Sequence, residues 1–487
     1  MKTTTPAIPS DHDDALRAEF ARRRAAVCAA TARPIVLLGP GVRDRNLPGY
    51  GLPHRASSDV LYLTGCGEVG VGAVLIDGVL ELYLPVAGPG DALWHGPAPS
   101  LDKRAAGTFA AIVRPRDELE GRVRELLADG PIATVASADP AANETLAWWS
   151  GHALEFGRAP GDDDLIEALC ALRRRKSPVE LAAMRQAVRV STQAHLAVAA
   201  ACRPGVHERA LAGLFEAVLA NQGCTPGYGT ILTQRGEILH CHDQDGTLAA
   251  GALLLVDAGA ELGPGWHAGQ GYGADLTRTW PVSGRFDPRQ RAAYDAVLAA
   301  WHAAVDTLRP GVRYRAAHDA AALVVARFLA DEGILRIAPE DAVARGAHGL
   351  FFPHGVGHLL GLDVHDLEAY GDRAAYAPGL QRPEVFGSRF LRLDMPLEPG
   401  FVVTIEPGFY AVPAILHDRE LRAHFGDDVD WQRAESWLGF GGIRIEDDVC
   451  VTDDGAEVLS ADLPRTVAGV EAAVGVGADW ADLLGLR

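Results

Sequence analysis

The sequence predicts an α+β protein of two domains, an N-terminal α/β domain over residues 1–160 and a larger domain over residues 161–487. With 487 residues, the chain exceeds the length at which a single hydrophobic core stops growing. A polar stretch with glycine and proline, FGRAPGDDDL at 156–165, is typical of a domain boundary. After residue 251 the pattern changes to apolar runs separated by glycine turns, which indicates a second, strand-containing domain.

The N-terminal segments alternate between strand-like and helix-like patterns. PIVLL at 34–38 predicts a buried strand, and AVLIDGVLELYL at 73–84 predicts a hairpin because Asp77-Gly78 is a strong two-residue turn signal. After a helix-like segment, PIATVAS at 131–137 predicts another short strand. This alternation is typical of an α/β domain.

The charge of the chain limits its partners. Its formal net charge is -19 and its pI is near 5.3. Such a field repels phosphate groups, so neither nucleic acid nor an anionic membrane is an expected partner. A cationic group, such as the free α-amine of a peptide, would be tolerated. The 48% hydrophobic and 22% charged residues are ordinary for a globular protein with a sizeable core.

The sequence also predicts a cytoplasmic location. Its opening, MKTTTPAIPSDHDDALRAEF, is acidic and lacks an apolar core, unlike a signal peptide. No apolar run approaches the roughly 18 residues that suggest a membrane span. The seven cysteines are scattered and form no CxxC pair, a pattern that fits a reducing compartment.

Two segments of the second domain share one pattern. Gly251-ALLLV-Asp257 and Gly400-FVVTI-Glu406 each place an acid at the end of a mostly apolar run. Burying an ionised carboxylate is costly unless the group is paired or binds a metal. For Asp257 alone, an aspartate that caps a turn remains an equally good interpretation.

Two further acids lie in alternating, strand-like stretches. In GADLTRTW, Asp275 shares a face with Thr277 and Thr279. In GGIRIEDDVCVT, Arg444 and Glu446 share a face opposite the isoleucines. A polar surface strand and a cross-strand ion pair are the plain alternatives.

The stretch HGVGHLLGLDVHD at 354–366 concentrates histidines and aspartates among glycines. His354 and His358 are four residues apart, but each glycine costs about 1 kcal/mol in a helix. A strand or turn is therefore expected, which excludes a helical HExxH-type zinc site. The glycine spacing, with no lysine after it, also excludes a phosphate-binding loop.

Together, these acids and at least one histidine form an oxygen-rich ligand set. Mainly carboxylate sites suit Mn, Mg, Co or Fe, and four carboxylates can neutralise two divalent ions. The set therefore predicts a dinuclear metal centre. Its chemistry would be a water, activated by both ions, that attacks a polarised carbonyl.

The chain resembles the pita-bread metallopeptidases, in the proline-peptidase branch that contains aminopeptidase P and prolidase. The motifs that carry the resemblance are DAGAE, GADLTRTWPVSG, FFPHGVGHLLGLDVHD, VVTIEPGFY and GGIRIEDDVCVT, and SSDVLYLTG resembles an aminopeptidase P-type N-terminal domain. The resemblance implies a curved antiparallel sheet with helices outside it. It also implies two divalent ions, Mn2+ first and Co2+, Fe2+ or Zn2+ as alternatives, and a homo-oligomer, either a dimer or a tetramer.

The resemblance assigns roles to residues. The metal ligands would be Asp257, Asp275, His358, Glu406 and Glu446. Asp275 and Glu446 would bridge the ions, and Glu406 would also act on the attacking water as a proton shuttle. Three histidines would position the substrate and stabilise the oxyanion, namely His240, His354 and His365. Arg444 would hold a ligand carboxylate in place.

Two local features go beyond these assignments. Arg392, in RFLRLDMPLEPG, resembles the arginine with which prolidases grip the carboxylate of a dipeptide, although pairing with a surface acid is the alternative. The interval between Asp257 and Asp275 is longer than this family usually has. Trp266 and His267 lie at its tip, where they would cover the site or stay exposed.

The expected function is a metal-dependent exopeptidase that removes the residue before proline, with a slight lean toward dipeptides. Its substrates would be proline-containing peptides or dipeptides. The alternatives are a non-catalytic binding or scaffold protein with the same fold and a metal-free, creatinase-like C–N hydrolase. The intact ligand set disfavours both alternatives.

Overall fold

The computed structural model describes residues 10–477, apart from the side chains of residues 10–13, 267 and 268. These residues form two compact units. The first contains the chain up to Ala183 with Pro264–Gly271 and Leu367–Ala374, and the second contains Met184–Gly263, Tyr272–Asp366 and the chain from Ala375 onward. The predicted division after residue 160 stays a prediction. Within residues 10–477, no helix has both the length and the apolar character that crossing a membrane requires.

The first unit contains one mixed sheet and several helices. The strands are β1 (Ile35–Leu38), β2 (Gly72–Ile76), β3 (Val79–Leu84) and β4 (Ile112–Pro115). The helices are α1 (Ser10–Thr31), α2 (Ser58–Thr64), α3 (Asp91–His95), α4 (Leu101–Arg104), α5 (Leu119–Asp129), α6 (Pro140–Ser150) and α7 (Asp163–Arg174). Neighbouring strands follow chain order, and only the β3–β4 pair among them is parallel. Side chains of β1, β2 and β3 pack with those of α5 and α6 in one apolar core, which confirms the predicted α/β domain.

The predicted hairpin is confirmed. Ile76 pairs with Val79, and the two residues between them, Asp77 and Gly78, have φ of 50° and 80°. Positive φ at both central residues is what a type I′ turn requires, and this turn matches the twist of the flanking strands.

The predicted strand at 131–137 is wrong. The segment makes isolated bridges, from Ala133 to Ile35 and from Val135 to Gly161, in place of a continuous ladder. The Asp162 carboxylate accepts the Thr134 backbone N–H at 2.8 Å. A side chain therefore takes up a backbone donor that a continuous strand would have offered to its neighbour.

The second unit has more helices and a set of short antiparallel strands. Its strands are β5 (Cys224–Pro226), β6 (Ile231–Thr233), β7 (Leu253–Asp257), β8 (Ala260–Leu262), β9 (Thr277–Pro281), β10 (Val402–Ile405), β11 (Gly408–Tyr410), β12 (Gly442–Arg444), β13 (Asp447–Val451) and β14 (Ala456–Val458). After α8 (Pro178–Ala201), which starts in the first unit, the helices are α9 (Glu208–Asn221), α10 (Pro288–Val305), α11 (Arg315–Asp331), α12 (Pro339–Arg345), α13 (Pro413–Leu416), α14 (Arg419–Phe425), α15 (Trp431–Glu435) and α16 (Val467–Ala473). Short 3-10 helices lie at Arg116–Glu118, Pro264–Gly269, Ala347–Leu350, Glu368–Tyr370, Asp372–Ala374 and Gly426–Asp428.

The strands of the second unit pair in four groups. The groups are β6-β7-β9, β10-β13-β14, β11-β12 and β5-β8, and every pair within them is antiparallel. A bridge between Thr277 and Glu446 connects β9 to the start of β13. The helices α10 and α11 pack against each other, and α10 also contacts β10, β11 and β12. The expected antiparallel pita-bread sheet with helices outside it is therefore present.

Candidate metal centre

Four acids lie at the ends of paired strands in the second unit. Asp257 ends β7, and Glu406 directly follows β10. Asp275 lies just before β9, the partner of β7, and Glu446 lies just before β13, the partner of β10. Thr277 pairs with Asp257 on one side and forms a bridge with Glu446 on the other. The backbone thus brings the acids of two separate antiparallel strand pairs to one place.

His358 joins these acids from the glycine-rich stretch. Its carbonyl accepts the Thr404 backbone N–H at 3.0 Å, and Leu359 forms a bridge with Val403, so the stretch runs beside β10. As expected, residues 354–366 contain no helix. Close packing requires glycine here, since a Cβ on Gly357 would lie 2.2 Å from the Thr404 carbonyl oxygen.

Asp275, His358 and Glu446 form the tightest group of potential ligands. One ligand atom from each lies within 4.8 Å of the others, and all three residues are buried. The Nε2 atom of His358 is 3.3 Å from Asp275 Oδ2 and 3.7 Å from Glu406 Oε1. Its Nδ1 atom donates to the Leu359 carbonyl at 3.0 Å, which leaves Nε2 directed at the acids.

Asp257 is fixed by two neighbours. Tyr228 donates its hydroxyl to Asp257 Oδ1 at 2.6 Å and also contacts Asp275 Oδ1. Arg444 donates to Asp257 Oδ2, and its other nitrogens donate to Tyr410 at 3.0 Å and to Thr277 at 3.1 Å. Asp257 is buried, with 8% of its surface exposed. The hydrogen bonds from Tyr228 and Arg444 therefore hold its carboxylate in one orientation.

The proton affinities of the four acids differ. Burial raises the pKa of Asp257, and it raises the pKa of Glu406 to about 7. Burial and the nearby carboxylates hold the pKa of Glu446 well above its usual range. Burial would also raise the pKa of Asp275, but the hydrogen bond and the charge of His358 lower it. For His358, burial is outweighed by Asp275, which raises the pKa to about 9.

The charges of the group fit divalent cations. Three buried carboxylates, those of Asp257, Asp275 and Glu446, and the partly exposed carboxylate of Glu406 lie near the Arg444 guanidinium and the His358 imidazole. Ionised carboxylates that lie so close repel one another, which adds to the effect of burial in raising the pKa of Glu446. Hard, oxygen-rich donors with an excess of negative charge are the ligands that divalent metal ions such as Mn2+ prefer.

The three histidines that the resemblance assigns to the substrate lie near this group. His354 donates through Nδ1 to the Gly355 carbonyl at 2.8 Å, and its Nε2 lies 2.9 Å from the Tyr410 hydroxyl. The ring of His365 is 4.3 Å from the ring of His358. His240 is exposed, and its pKa is lowered by partial burial first and then by the charge of Arg444, against the opposing charge of Asp257.

Arg392 lies close enough to act on all three histidines. Its charge contributes to the lowered pKa of His240, of His354 (to about 3, mainly through burial) and of His365 (to about 3, mainly through the charge of His358). Arg392 and the three histidines therefore lie near one another, and their role toward a substrate stays a prediction.

Several residues of the site were not predicted from the sequence. Tyr228, in TPGYGT, gave no signal, because it lies far from the acids along the chain and contacts them only in the fold. Tyr410, in VVTIEPGFY, follows Glu406 by four residues, and its position in β11 beside Arg444 could have suggested a role. The alternating pattern puts Thr277 on the face of Asp275 but does not indicate the hydrogen bond at 2.6 Å that the Thr277 hydroxyl donates to Glu446.

The long interval between Asp257 and Asp275 contains β8 and the 3-10 helix Pro264–Gly269. Its tip, Pro264–Gly271, belongs to the first compact unit. Trp266 lies within this helix, and the side chain of His267 is outside the described residues. Whether either one covers the site stays a prediction.

The comparisons with known proteins agree with this geometry. The model of Metallopeptidase family M24 matches residues 182–453, more than half of the chain. The model of the aminopeptidase P N-terminal domain matches residues 20–135. Membership of the first family implies divalent metal ions in the site.

Two curated relatives are similar in sequence to part of this chain. The Xaa-Pro dipeptidase of Xanthomonas axonopodis pv. citri is 38% identical over 291 residues, which are 58% of this chain and 62% of the relative. The one from Stenotrophomonas maltophilia strain K279a is 37% identical over 295 residues, which are 59% of this chain and 63% of the relative. The chain thus spans less than two thirds of the length of these curated relatives.

Solved structures cover nearly the whole chain. Aminopeptidase PepP of Pseudomonas aeruginosa has a TM-score of 0.76 and 30% identity, and the match covers 94% of this chain and 97% of that one. Zn-substituted aminopeptidase P of E. coli, in complex with product, has a TM-score of 0.75 and 27% identity over 94% of this chain and 98% of that one. This chain belongs to metallopeptidase family M24, in the proline-peptidase branch of the pita-bread fold.

Proposed function

We propose that this chain is a metal-dependent exopeptidase that hydrolyses the bond between an N-terminal residue and a following proline. The observation that carries the proposal is the buried group of Asp275, His358 and Glu446, with the carboxylates of Asp257 and Glu406 beside it. Its relatives support the substrate class, since the curated ones are named Xaa-Pro dipeptidase and the solved ones aminopeptidase P. The substrates would be proline-containing peptides or dipeptides.

Five residues would hold the two metal ions, namely Asp257, Asp275, His358, Glu406 and Glu446. Mn2+ is the preferred ion of the proposal, with Co2+, Fe2+ or Zn2+ as alternatives, because the donors are mostly carboxylate oxygens. When bound, two divalent ions would lower the pKa of a water molecule and polarise the scissile carbonyl. Arg444 would keep Asp257 oriented toward the ions, since it already donates to that carboxylate.

Glu406 would move the proton. Its carboxylate side chain is 17% exposed, and burial raises its pKa to about 7, so it can accept and release a proton near neutral pH. An Xaa-Pro peptide nitrogen carries no hydrogen and must gain a proton before it can leave as an amine. Glu406 would take a proton from the attacking water and deliver it to that nitrogen.

The histidines and Arg392 would bind the substrate. His240, His354 and His365 would position the peptide and stabilise the oxyanion that forms on the scissile carbonyl. Tyr410 would fix the orientation of the His354 ring through its hydroxyl. Arg392 would hold the proline carboxylate of a dipeptide, a bidentate task to which a guanidinium is suited.

Metal analysis and hydrolysis of Ala-Pro test the activity. The purified protein is expected to contain divalent metal, or to take it up from added Mn2+, and to release alanine from Ala-Pro. A protein that binds no metal and stays inert after addition of Mn2+ would contradict the proposal and would favour a scaffold role.

A second experiment tests the lean toward dipeptides. In Arg392→Ala, hydrolysis of Ala-Pro is expected to fall more than that of Ala-Pro-Xaa tripeptides, because only the dipeptide loses its carboxylate partner. Arg389→Ala is the matched control, since this exposed arginine lies three residues earlier and stacks on Phe390. Equal losses for both substrates in Arg392→Ala would refute the role.

Two further parts of the proposal rest on the sequence and the resemblance. The scattered cysteines support the cytoplasm as the place of action. A dimer or tetramer is expected by family resemblance, and light scattering after size-exclusion chromatography measures it directly.

A further inference from the structure

The loop that carries His240 is anchored by a buried acid outside the metal centre. The loop runs from Gln234, just after β6, to Gly246, which precedes β7. Glu208, the first residue of α9, is buried, with 3% of its surface exposed. Its Oε1 accepts the Gln234 backbone N–H at 2.8 Å, and its Oε2 accepts the Gly246 backbone N–H at 2.8 Å. One carboxylate therefore closes both ends of the loop.

The closure is tight and uses further contacts. The Glu208 backbone N–H donates to the Gly246 carbonyl at 2.8 Å, and Gln234 Nε2 donates to Glu208 Oε1 at 3.4 Å. A Cβ on Gly246 would lie 2.8 Å from the Glu208 carboxyl group, so only glycine fits without displacement. An acid in the first turn of a helix commonly serves the N–H groups of its own helix, whereas here both oxygens bind the loop.

The interior of the same loop lies against the metal centre. A Cβ on Gly236 would lie within 3.0 Å of the backbone of Gly442, which begins the strand that ends in Arg444. The ring of His242 lies 3.0 Å from the Cβ position of Gly229, the neighbour of Tyr228. His240 lies between these two contacts in the chain, and the charges of Arg444 and Asp257 reach it.

We propose that Glu208 is a positioning residue for His240. Its carboxylate fixes the 234–246 loop so that the imidazole of His240 faces the substrate beside Asp257 and Arg444. This inference rests on the proposed function, because the substrate role of His240 does. It assigns to Glu208 no contact with the substrate or with a metal ion.

The first test is a double-mutant cycle in the loaded enzyme. Glu208→Gln keeps one acceptor oxygen but turns an NH2 group toward a backbone N–H, so one end of the loop is released. We expect kcat/KM for Ala-Pro to fall about tenfold or more while metal content stays unchanged. In a His240→Ala background, Glu208→Gln should change kcat/KM by less than about threefold, since the positioned group is already absent.

Glu216→Gln is the matched control. This glutamate lies two turns further along the same helix, is exposed, and accepts from the Thr230 hydroxyl at 3.2 Å instead of binding the loop. Its kcat/KM should equal that of the wild type. Equal losses from Glu208→Gln in the wild-type and His240→Ala backgrounds would overturn the proposal, because a general structural defect does not depend on His240.

The second test needs no activity. Hydrogen exchange of peptides that cover 234–246 should speed up in Glu208→Gln, since one of the two amides, that of Gln234 or that of Gly246, loses its acceptor. Exchange should not change in Glu216→Gln. Gly246→Ala, which displaces the same carboxyl group from the loop side, should give the same result and carries the test if Glu208→Gln fails to fold. Unchanged exchange in both would overturn the anchoring. Faster exchange in a protein that does not cleave Ala-Pro would instead contradict only the proposed function.

Discussion

The candidate metal centre is built from two antiparallel strand pairs, β7–β9 and β10–β13, which form two similar halves. In the first half, β7 follows Gly251 and ends at Asp257, and Asp275 precedes the partner strand β9. In the second half, β10 follows Gly400 and is followed by Glu406, and Glu446 precedes the partner strand β13. Each half thus supplies one acid from the end of a strand and one from the start of its partner.

The two strand-end acids have different surroundings. Asp257 accepts hydrogen bonds from Tyr228 and Arg444. The Glu406 carboxylate lies 3.6 Å from His354 Nδ1 and 3.7 Å from His358 Nε2, beyond hydrogen-bond distance. The same strand pattern therefore gives one acid that is held rigidly and one that can exchange a proton. Neighbours from elsewhere in the chain, and not the strand pair itself, therefore set the role of each acid.

The largest effect is expected from Asp257→Asn. The substitution removes the charge that Arg444 and the metal ions share, so metal content and activity should both be lost. We expect kcat/KM to fall at least about 1,000-fold, or about 4 kcal/mol. Elemental analysis and Ala-Pro kinetics measure both, with Glu457→Gln, an exposed partner of Arg185, as the control. An active, metal-replete Asp257→Asn would contradict the rigid role.

Glu406→Gln separates proton transfer from metal retention. Because the amide cannot carry the proton, kcat should fall about 100-fold or more, with a smaller change in KM. The variant should keep more metal than Asp257→Asn, since Asp257 remains fixed by its two neighbours. If both variants lost metal equally, the two halves would not differ as described.

Metal uptake should depend on pH. His358 has a pKa of about 9 and Glu406 one of about 7 in the metal-free protein, and a ligand must be deprotonated to bind. Below pH 9 uptake therefore releases protons, and affinity should rise about tenfold per pH unit for each proton released, up to pH 9. Calorimetry of Mn2+ binding at pH 7 in buffers of different ionisation enthalpy counts the protons. Binding heats that do not depend on the buffer would show that no protons are released and would contradict this prediction.

Two tyrosine-to-phenylalanine changes should have different effects, one on metal affinity and the other on kcat/KM. Tyr228→Phe removes the hydroxyl shared by Asp257 and Asp275, so metal affinity should fall about tenfold. Tyr410→Phe removes the link between Arg444 and His354, so kcat/KM should fall with metal affinity retained. Tyr294→Phe, which loses a buried hydroxyl bond to the Arg465 carbonyl, controls for stability. The reverse pattern would contradict the assignment.

The smallest effect is expected at the glycine that opens each half. Gly251 and Gly400 have φ of 77° and 87°, where a side chain costs about 1 kcal/mol. Gly251→Ala and Gly400→Ala should each lower the free energy of unfolding by about that amount without changing kcat/KM. Gly213 lies at an exposed position in the middle of α9, where a Cβ would meet no atom within 4 Å. Gly213→Ala should therefore raise the free energy of unfolding, because alanine favours a helix.

The strand-end positions of Asp257 and Glu406 could be predicted from the sequence, because each acid directly follows an apolar run within a single short segment. The repeated pattern that ends in Asp257 and Glu406 marks both halves through the order of a few adjacent residues. The hairpin at Asp77-Gly78 was equally local, since turn chemistry depends on two adjacent residues.

What the sequence did not show depends on contacts between distant segments. Tyr228 reaches Asp257 and Asp275 from 29 and 47 residues away, a distance over which periodicity carries no information. The segment 131–137 has the composition of a strand, but Asp162 takes one of its backbone donors. Propensity describes a segment, whereas a strand needs a partner that accepts its whole ladder.

The long interval of the first half has a consequence for protein engineering. Ala260–Leu262 pair with Cys224–Pro226, and the Ala274 backbone N–H donates to the Ala260 carbonyl at 3.0 Å. A Cβ on Gly259 would lie 1.7 Å from the Ala274 carbonyl oxygen, so the two sides of the interval are packed closely where they leave Asp257 and approach Asp275. A recognition peptide grafted into this turn is therefore expected to be tolerated only within its tip, Pro264–Gly271, beyond these contacts.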